Sequence, residues 1–324
     1  MAQFSLVEMT PPFLLSVPNV SEGRDTRTIG AIRAAFTGVE DGHTPAGTVR
    51  VLDTHSDADH HRSVFTLAGR PGDLADALIA GARVAIEHID VVHRRPDDPA
   101  ASGEHPYVGA LDVAPVVYLD ARARGAACAE ALVVADRLGD ELEVPVFLYG
   151  ELTASDGRPD RTRAQLRRGG VASLAMKMDA PEGSAVGLRP DFGPPGSHPT
   201  AGATLVAARE PLVAFNLELA SSASVTDARG IAALIREGGT AGLPGVRAIG
   251  VALSGGLAQV SMNIERPLEV PLSMVVEAVG RHAPISRAEL VGLAPRAALE
   301  GFPEDVPMPG FDPARHVIEN ALGF

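Results

Sequence analysis

The sequence predicts an α+β fold built from two ferredoxin-like subdomains, each a split βαβ unit. Two observations lead to this prediction. The chain has 324 residues, which is too long for one typical hydrophobic core. The order strand–helix–strand–strand–helix–strand also occurs twice along it. We place the boundary after residue 205, so that residues 1–205 form the first subdomain and residues 206–324 the second.

The first half contains one complete unit followed by an extra helix and strand. Apolar periodicity and turn residues predict these elements in order: a strand over 12–17, a helix carrying Ile29, Ile32 and Phe36, strands over 48–53 and 63–68, a helix over 73–88, a strand over 113–119, a helix over 125–138 and a strand over 144–149. Residues 53–62 are predicted to be a polar loop. Residues 152–197 are rich in glycine, proline and charge, and are predicted to connect the two halves.

The second half repeats the same order without the extra elements. It is predicted to contain strands over 212–219, 246–253, 257–264 and 288–293, helices over 227–236 and 272–279, and a terminal helical region. Ser254-Gly-Gly256 separates the middle two strands and is typical of a hairpin turn.

Composition excludes several classes of function. A net charge of −13 argues against general nucleic-acid binding, which needs a basic surface. The sequence has neither an apolar run long enough to cross a membrane nor the features of a signal peptide, so we expect a cytoplasmic protein without a membrane partner. Cys128 is the sole cysteine and Lys177 the sole lysine. An intrachain disulfide and a thiolate metal cage are therefore excluded, and a Schiff-base mechanism would depend on Lys177 alone.

A six-residue pattern occurs twice, as His105-Pro-Tyr-Val-Gly-Ala110 and as His198-Pro-Thr-Ala-Gly-Ala203. The proline steers the preceding histidine away from helix, and the glycine lets another main chain or a ligand approach closely. Histidine is the side chain most easily set to exchange a proton near neutral pH. The repeat therefore indicates a site of proton transfer, with His105 as general acid or base and His198 in a loop that holds a ligand.

The polar stretch Asp53-Thr-His-Ser-Asp-Ala-Asp-His-His-Arg62 has three possible interpretations. Imidazole and carboxylate groups suit a divalent metal ion, although no known zinc spacing is matched. Arg62 and its neighbours are alternatively substrate contacts, or the stretch is a solvated turn.

Two further loops are candidates for ligand contacts. Residues 19–24 follow the first strand just before a helix, where free amides bind anions readily. Ser21 or Asp25 would cap that helix. The loop Gly193–Gly202 lies between the two halves and is either a ligand-holding segment or a linker.

Together these segments resemble the formiminotransferase family, the folate-dependent part of glutamate formiminotransferase. The resemblance covers nearly the whole chain and rests on nine segments in the family order. They are Val17-Pro-Asn-Val-Ser-Glu-Gly23, His60-His-Arg-Ser-Val64, Glu104-His-Pro-Tyr-Val-Gly-Ala-Leu-Asp112, Val144-Pro-Val-Phe-Leu-Tyr-Gly150, Pro190-Asp-Phe-Gly193, His198–Ala203, Leu212-Val-Ala-Phe-Asn216, Gly256-Leu-Ala-Gln-Val-Ser261 and Glu289-Leu-Val-Gly-Leu293.

The resemblance implies two subdomains with mixed sheets that face each other across a ligand cleft, in a homodimer. It implies transfer of a formimino group from N-formiminoglutamate to N5 of tetrahydrofolate, a co-substrate, with release of glutamate and without a metal. The catalytic histidine of the family falls on His105. The folate-contacting segment falls on Gly193, Pro194, Ser197, His198, Pro199 and Gly202.

We assign supporting roles to residues near these segments. Asp53 or Asp112 would orient His105 or stabilise its protonated form. The partners are then small molecules, folate and formiminoglutamate or a related donor. The residues that we expect to contact the substrate are Asn19, Glu22, His55, Arg62 and Tyr107.

Two features depart from the family pattern and leave alternatives open. Tyr107 stands where the family has an arginine directly after His-Pro, and a phenol cannot clamp a carboxylate. An insertion around residues 94–102 leaves His93 and Arg94 or Arg95 as possible substitutes. The alternatives are a different donor such as 5-formyltetrahydrofolate, or a folate-binding protein without turnover. A metal-dependent hydrolase is also possible, built on His55, Asp57, Asp59 and His60.

Overall fold

The computed structural model describes residues 13–38, 49–94, 106–153, 161–181 and 183–323. Over these ranges the chain forms eleven strands and nine α-helices, arranged around two separate sheets. The predicted α+β fold of two subdomains is therefore confirmed.

The first sheet contains seven strands. These are β1 (Leu14–Ser16), β2 (Asn19–Val20), β3 (Arg50–Asp57), β4 (Arg62–Gly69), β5 (Leu111–Val117), β6 (Val146–Leu148) and β7 (Thr204–Arg209). Strands β1 and β2 are successive segments that both pair with β4 on one side and β5 on the other. The lateral order is therefore β3, β4, β1 with β2, β5, β7 and β6. The last two pairings are parallel, which makes the sheet mixed.

Three helices cover one face of this sheet: α1 (Thr26–Thr37), α2 (Asp73–His88) and α3 (Arg124–Glu141). Their apolar side chains, with those of the strands, form the main core of the first subdomain. Two shorter helices, α4 (Arg163–Arg167) and α5 (Gly170–Met178), cover the opposite face over β5, β6 and β7.

The second sheet contains β8 (Val213–Leu219), β9 (Val246–Ala252), β10 (Ala258–Ile264) and β11 (Ile285–Val291). The order is β11, β8, β10, β9 with every pairing antiparallel, as a ferredoxin-like split βαβ unit requires. Helices α6 (Val225–Ile235) and α7 (Leu272–Gly280) cover one face and share a second core with it. Two short helices follow, α8 (Pro313–His316) and α9 (Ile318–Leu322).

The uncovered parts of the two sheets face each other across a cleft. A cavity there is lined by Leu15 and Val117 of the first sheet and by Ala214 and Val291 of the second. A small apolar cluster that includes Leu15, Val117, Leu293 and Ile318 joins the two halves beside it. The chain passes from one sheet to the other over residues 210–212.

Two sequence predictions about local structure were wrong. Residues 53–57 are not a loop but the second half of β3. Successive side chains of a strand point to opposite faces, so a wholly polar segment can form a strand when one of its faces lines the cleft. The segment 152–197 is not merely a connection, since it contains α4 and α5. Strand β7 was also missed.

Among the helices of the described ranges, none combines the length and apolarity that crossing a membrane requires.

Candidate active site in the cleft between the sheets

Parts of the inner faces of both sheets carry polar residues at alternating strand positions. In the second sheet these include Asn216 and Gln259, which are buried, and the half-buried Glu289. Their strand neighbours Phe215, Val260 and Leu290 point instead into the helix-covered core. This alternation places a row of hydrogen-bonding groups opposite the first sheet.

Four arginines line the cleft cavity from the side of the first subdomain. Arg62 begins β4 and Arg209 ends β7, while Arg163 and Arg167 project from one face of α4 at the i, i+4 spacing. Among the described residues only Arg167 has a carboxylate in contact, that of Asp112. The guanidinium groups of Arg62, Arg163 and Arg209 form no ion pair with any residue in the described ranges.

The electrostatics of this arginine cluster are unfavourable without an anion. Burial first, and then the neighbouring guanidinium groups of Arg167 and Arg163, lower the pKa of Arg62 to about 10. Burial likewise lowers the pKa of Arg209 to about 10, and burial followed by Arg167 lowers the pKa of Arg163. Arg62, Arg163 and Arg209 nevertheless stay cationic at neutral pH. The cluster is therefore a desolvated positive site that an anionic ligand would stabilise.

Two buried donors in the cluster are unsatisfied. The Nε atoms of Arg167 and Arg209 have no hydrogen-bond partner among the residues that the structure describes. A buried donor without a partner costs about 1–3 kcal/mol. Carboxylate oxygens of a ligand would satisfy such donors with charge-assisted hydrogen bonds.

Asp112 organises the wall of the cleft next to these arginines. It is buried, its Oδ1 accepts a hydrogen bond from the Val108 amide at 2.8 Å, and its Oδ2 binds Arg167. Both carboxylate oxygens are thus used within the protein. This geometry ties the position of α4 to the start of β5.

The segment after β1 packs against the first copy of the repeated pattern. Asn19 lines the cavity with Arg62, and the Ser21 hydroxyl donates to the Gly109 carbonyl at 2.7 Å. The Glu22 carboxylate accepts from the Arg24 and Asp25 amides, at 2.8 and 3.0 Å. Glu22 thus organises the approach to α1.

The cap of α1 is Asp25, one of the two predicted candidates. Its side chain accepts hydrogen bonds from the Arg27 amide and the Thr28 hydroxyl.

A second, smaller cavity adjoins the arginine cluster and shares Asn19 and Arg62 with it. It is lined also by Tyr107, His60 and Asp112. The guanidinium of Arg94 lies 5.4 Å from the centre of the Tyr107 ring, and its Nη2 donates to the Ser21 carbonyl at 2.5 Å. A cationic group thus stands beside the tyrosine, in the cation–π range.

Strand β3 brings Asp53, His55 and Asp57 to the same inner face, opposite the second sheet. His55 Nε2 lies 3.4 Å from Glu289 Oε1, so the predicted substrate contact meets the other subdomain. Asp53 precedes His55 by two residues in β3 and faces the cleft on the same side of the strand. The neighbouring turn meets the second sheet as well, through His60 and Gln259 with 3.1 Å between Nε2 and Oε1.

The two copies of the repeated pattern lie directly against each other. Gly109 and Gly202 form an isolated antiparallel bridge, the Ala203 amide donates to Val108 and the Ala110 amide donates to Ala201. A Cβ atom on Gly109 would stand 1.9 Å from the Ala203 carbonyl oxygen. The glycines are therefore required by contact between the loops themselves.

The predicted folate-contacting loop is held by internal hydrogen bonds. His198 Nδ1 accepts from the Thr200 and Ala201 amides at 3.3 and 3.0 Å, and burial lowers its pKa, so the imidazole is neutral. Gly193 has φ of +80° and packs against Gly139 of α3. None of Gly193, Pro194, Ser197, His198, Pro199 and Gly202 lines the arginine cavity.

Comparison with known proteins agrees with this architecture. Residues 13–209 match the family model described as formiminotransferase domain, N-terminal subdomain. Glutamate formimidoyltransferase of Streptococcus pyogenes serotype M1 is 34% identical over 314 residues, which cover 94% of this chain and 97% of that one. The chain belongs to the formiminotransferase family.

Other relatives have different overall lengths. Glutamate formimidoyltransferase of Thermoplasma acidophilum is 34% identical over 87% of this chain and 88% of its own. Formimidoyltransferase-cyclodeaminase of Gallus gallus is 36% identical over 294 residues, 87% of this chain and 50% of that one. The chain therefore spans about half the length of the cyclodeaminase-containing relative.

Four of the predicted site residues of this formiminotransferase family member line the two adjoining cavities: Asn19, Arg62, Tyr107 and Asp112. His105 lies outside the described residues. The arginines of α4 and β7 were missed. The signal for the α4 pair was the run Arg161-Thr-Arg-Ala-Gln-Leu-Arg-Arg168, where i, i+4 spacing indicates a basic helical face.

Proposed function

We propose that this chain transfers a formimino group from N-formiminoglutamate to N5 of tetrahydrofolate, in the cleft between the two sheets. The observation that carries the proposal is the cluster of four arginines in the cleft, one buried and three half-buried, in a member of the formiminotransferase family. The relatives named glutamate formimidoyltransferase support the same reaction.

The donor set of the cleft fits the charge of both substrates. Formiminoglutamate and the glutamate tail of folate each carry two carboxylates, and guanidinium groups bind carboxylates with paired hydrogen bonds. Arg62, Arg163 and Arg209 offer charge that no protein carboxylate neutralises within the described residues. We infer that these three groups bind substrate carboxylates, while Arg167 is retained by Asp112.

The reaction requires that N5 of the pterin lose a proton and that the departing glutamate nitrogen gain one. N5 of the pterin attacks the formimino carbon, and a tetrahedral adduct forms as the carbon–nitrogen double bond becomes single. The N5 proton passes to a base, and the bond to the glutamate nitrogen breaks as an acid protonates that nitrogen. We propose that His105 performs both transfers in turn, and that a nearby carboxylate such as Asp53 supports its protonated form.

Arg94 is our candidate for the charge that Tyr107 cannot provide. It stacks beside the tyrosine at the edge of the smaller cavity. We propose that this pair together replaces the arginine that the family has after His-Pro, and that donor recognition is preserved.

The remaining parts of the proposal rest on the family resemblance and on the composition of the sequence. They are folate contacts from the loop Gly193–Gly202, a homodimer, a cytoplasmic location, and a transfer step that uses neither metal nor nucleic acid.

The direct test is product formation. Incubation with tetrahydrofolate and N-formiminoglutamate is expected to produce 5-formiminotetrahydrofolate, followed by its absorption spectrum. His105→Ala should abolish the product because the proton acceptor is lost, while folate binding measured by fluorescence quenching should persist. His282→Ala, an exposed histidine of the second subdomain, is the control and should turn over normally.

A screen of other donors, including 5-formyltetrahydrofolate, separates the alternatives. Turnover with another donor alone would contradict the assignment of formiminoglutamate. Tight folate binding without any turnover would contradict the transferase altogether.

A further inference from the structure

We propose that His55, Asp57 and Glu289 form a binding site for a divalent transition-metal ion, with Zn²⁺ as its representative, between the two subdomains. The inference does not rest on the proposed transfer reaction.

The three candidate ligand atoms lie close together. His55 Nε2 and one carboxylate oxygen each from Asp57 and Glu289 lie within 4.8 Å of one another. Zinc binds imidazole nitrogen and carboxylate oxygen at short, similar distances, so neighbouring ligand atoms around a tetrahedral ion are about 3.4 Å apart. The His55 Nε2–Glu289 Oε1 distance is 3.4 Å. That spacing is longer than an ordinary hydrogen bond, and Nε2 is a buried atom without a hydrogen-bond partner.

The protein also orients the Glu289 carboxylate toward His55. Asn216 Nδ2 donates to Oε2 at 2.7 Å, which leaves Oε1 directed toward His55. Ligating carboxylates are commonly held by such outer hydrogen bonds.

The protein holds the Asp57 side chain at the site, and solvent can reach the site. The His60 amide donates to Asp57 Oδ1 at 2.8 Å and holds this side chain on the inner face of β3. An open cavity of about 200 Å³ borders Asp57 and Glu289. An ion can therefore enter from solvent, and three protein ligands leave one position for water.

Such an ion would join β3 of the first sheet to β11 of the second. Two carboxylates and one imidazole match borderline ions such as Zn²⁺ better than Mg²⁺, which prefers oxygen ligands alone. The sequence predicted a possible metal site in the Asp53–Arg62 stretch with His55, Asp57, Asp59 and His60 as ligands. The site proposed here keeps His55 and Asp57 but has Glu289 in place of Asp59 and His60. Asp59 instead accepts a hydrogen bond from the Ser254 hydroxyl at 3.0 Å.

The test uses the full chain after removal of metal with a chelator. Calorimetric titration with Zn²⁺ is expected to show one equivalent bound, and saturating Zn²⁺ should raise the unfolding temperature. His55→Ala and Glu289→Gln should each weaken the affinity about tenfold or more. Asp59→Asn removes one neighbouring carboxylate from the same turn and should bind Zn²⁺ as the unaltered chain does. Co²⁺ in place of Zn²⁺ should give visible absorption bands that both ligand variants lose.

Failure of the metal-free chain to bind Zn²⁺ would overturn the proposal. So would unchanged Zn²⁺ affinity in both ligand variants, because the ion would then sit elsewhere. Circular dichroism of each variant verifies that a loss of binding is not a loss of folding. Activity of the metal-free chain is measured separately, so the outcome is independent of the transfer reaction.

Discussion

At the scale of single residues, the arginines of the cleft differ in whether a carboxylate touches them. Arg163 and Arg167 stand one turn apart on α4, and within the part of the chain that the structure describes only Arg167 binds a carboxylate, that of Asp112. Similar side chains on one short helix therefore have different expected roles, one in ligand binding and the other in holding the wall of the cleft.

Replacing Arg163 is expected to weaken ligand binding without destabilising the free protein. Arg163→Gln removes a half-buried cation that has no ion pair among the described residues, so repulsion with Arg167 and Arg62 falls. The free energy of unfolding should fall by no more than about 0.5 kcal/mol. The affinity for a folate carrying its glutamate tail should drop about tenfold or more, as expected when a charged hydrogen bond is lost.

The matched variant Arg167→Gln should behave in the opposite way. It leaves the buried carboxylate of Asp112 without its partner, which costs about 3–5 kcal/mol. Urea unfolding and folate titration of both variants measure the contrast. Equal destabilisation by the two substitutions would show that Arg163 is structural.

His61 makes the stability of the protein depend on pH. Its Nδ1 accepts a hydrogen bond from the Gly23 amide at 3.2 Å, which requires an unprotonated imidazole. Burial, then the charge of Arg94, lowers its pKa to about 4, although Glu22 opposes the change. The unfolded chain has a pKa of about 6.5 at this position. The stabilisation is therefore complete above pH 6.5 and is lost as the pH falls toward 4.

His61→Asn should flatten this part of the pH profile. Asparagine keeps an acceptor and tolerates the positive φ of +48° found at this position. The difference in unfolding free energy between pH 7.5 and pH 4.5 should shrink by about 1–3 kcal/mol. Urea unfolding at both values measures it, and an unchanged difference would mean that other groups titrate.

At the scale of elements, the contact between the two His-Pro loops is set by glycine. Gly109→Ala would place a methyl group on the Ala203 carbonyl, and Gly202 has φ of +71° as well as a close carbonyl at Val108. Either alanine variant should lose several kcal/mol of stability, because backbone atoms cannot yield as a flexible side chain would. Gly196→Ala, in the same segment but in open space, is the control.

Thermal unfolding of these three variants decides the point. If Gly109→Ala melts at the temperature of Gly196→Ala, the loops are not in the contact described.

Regular elements with a clear apolar period were the most predictable. The predicted helix over 73–88 has the same bounds as α2, since Leu74, Leu78, Ala82 and Ala85 form one buried stripe. The end of β3 was mistaken for a loop because its inner face is polar. Helix α4 has only five residues, too few for a period to emerge from its charged sequence.

At the scale of the whole molecule, the order of strands and helices along the sequence was sufficient to predict two subdomains. The residues that meet across the cleft between the subdomains could not be predicted from the sequence. The pairing of Gly109 with Gly202 and of His55 with Glu289 joins residues that are far apart in sequence. The polar residues of the second sheet, such as Asn216 and Glu289, fall in segments that carry the family resemblance. Their common orientation depends on strand register, which sequence alone does not set.

The use of arginine throughout the cleft has a practical consequence for measurements in solution. Arginine keeps its charge at every pH at which the protein is handled, and it is not a target of lysine acetylation. We therefore expect the arginines of the cleft to attract small dianions such as phosphate and sulfate from ordinary buffers. These anions would compete with substrate and mask its affinity. Kinetic and binding constants of this protein should depend on the choice of buffer anion as well as on ionic strength.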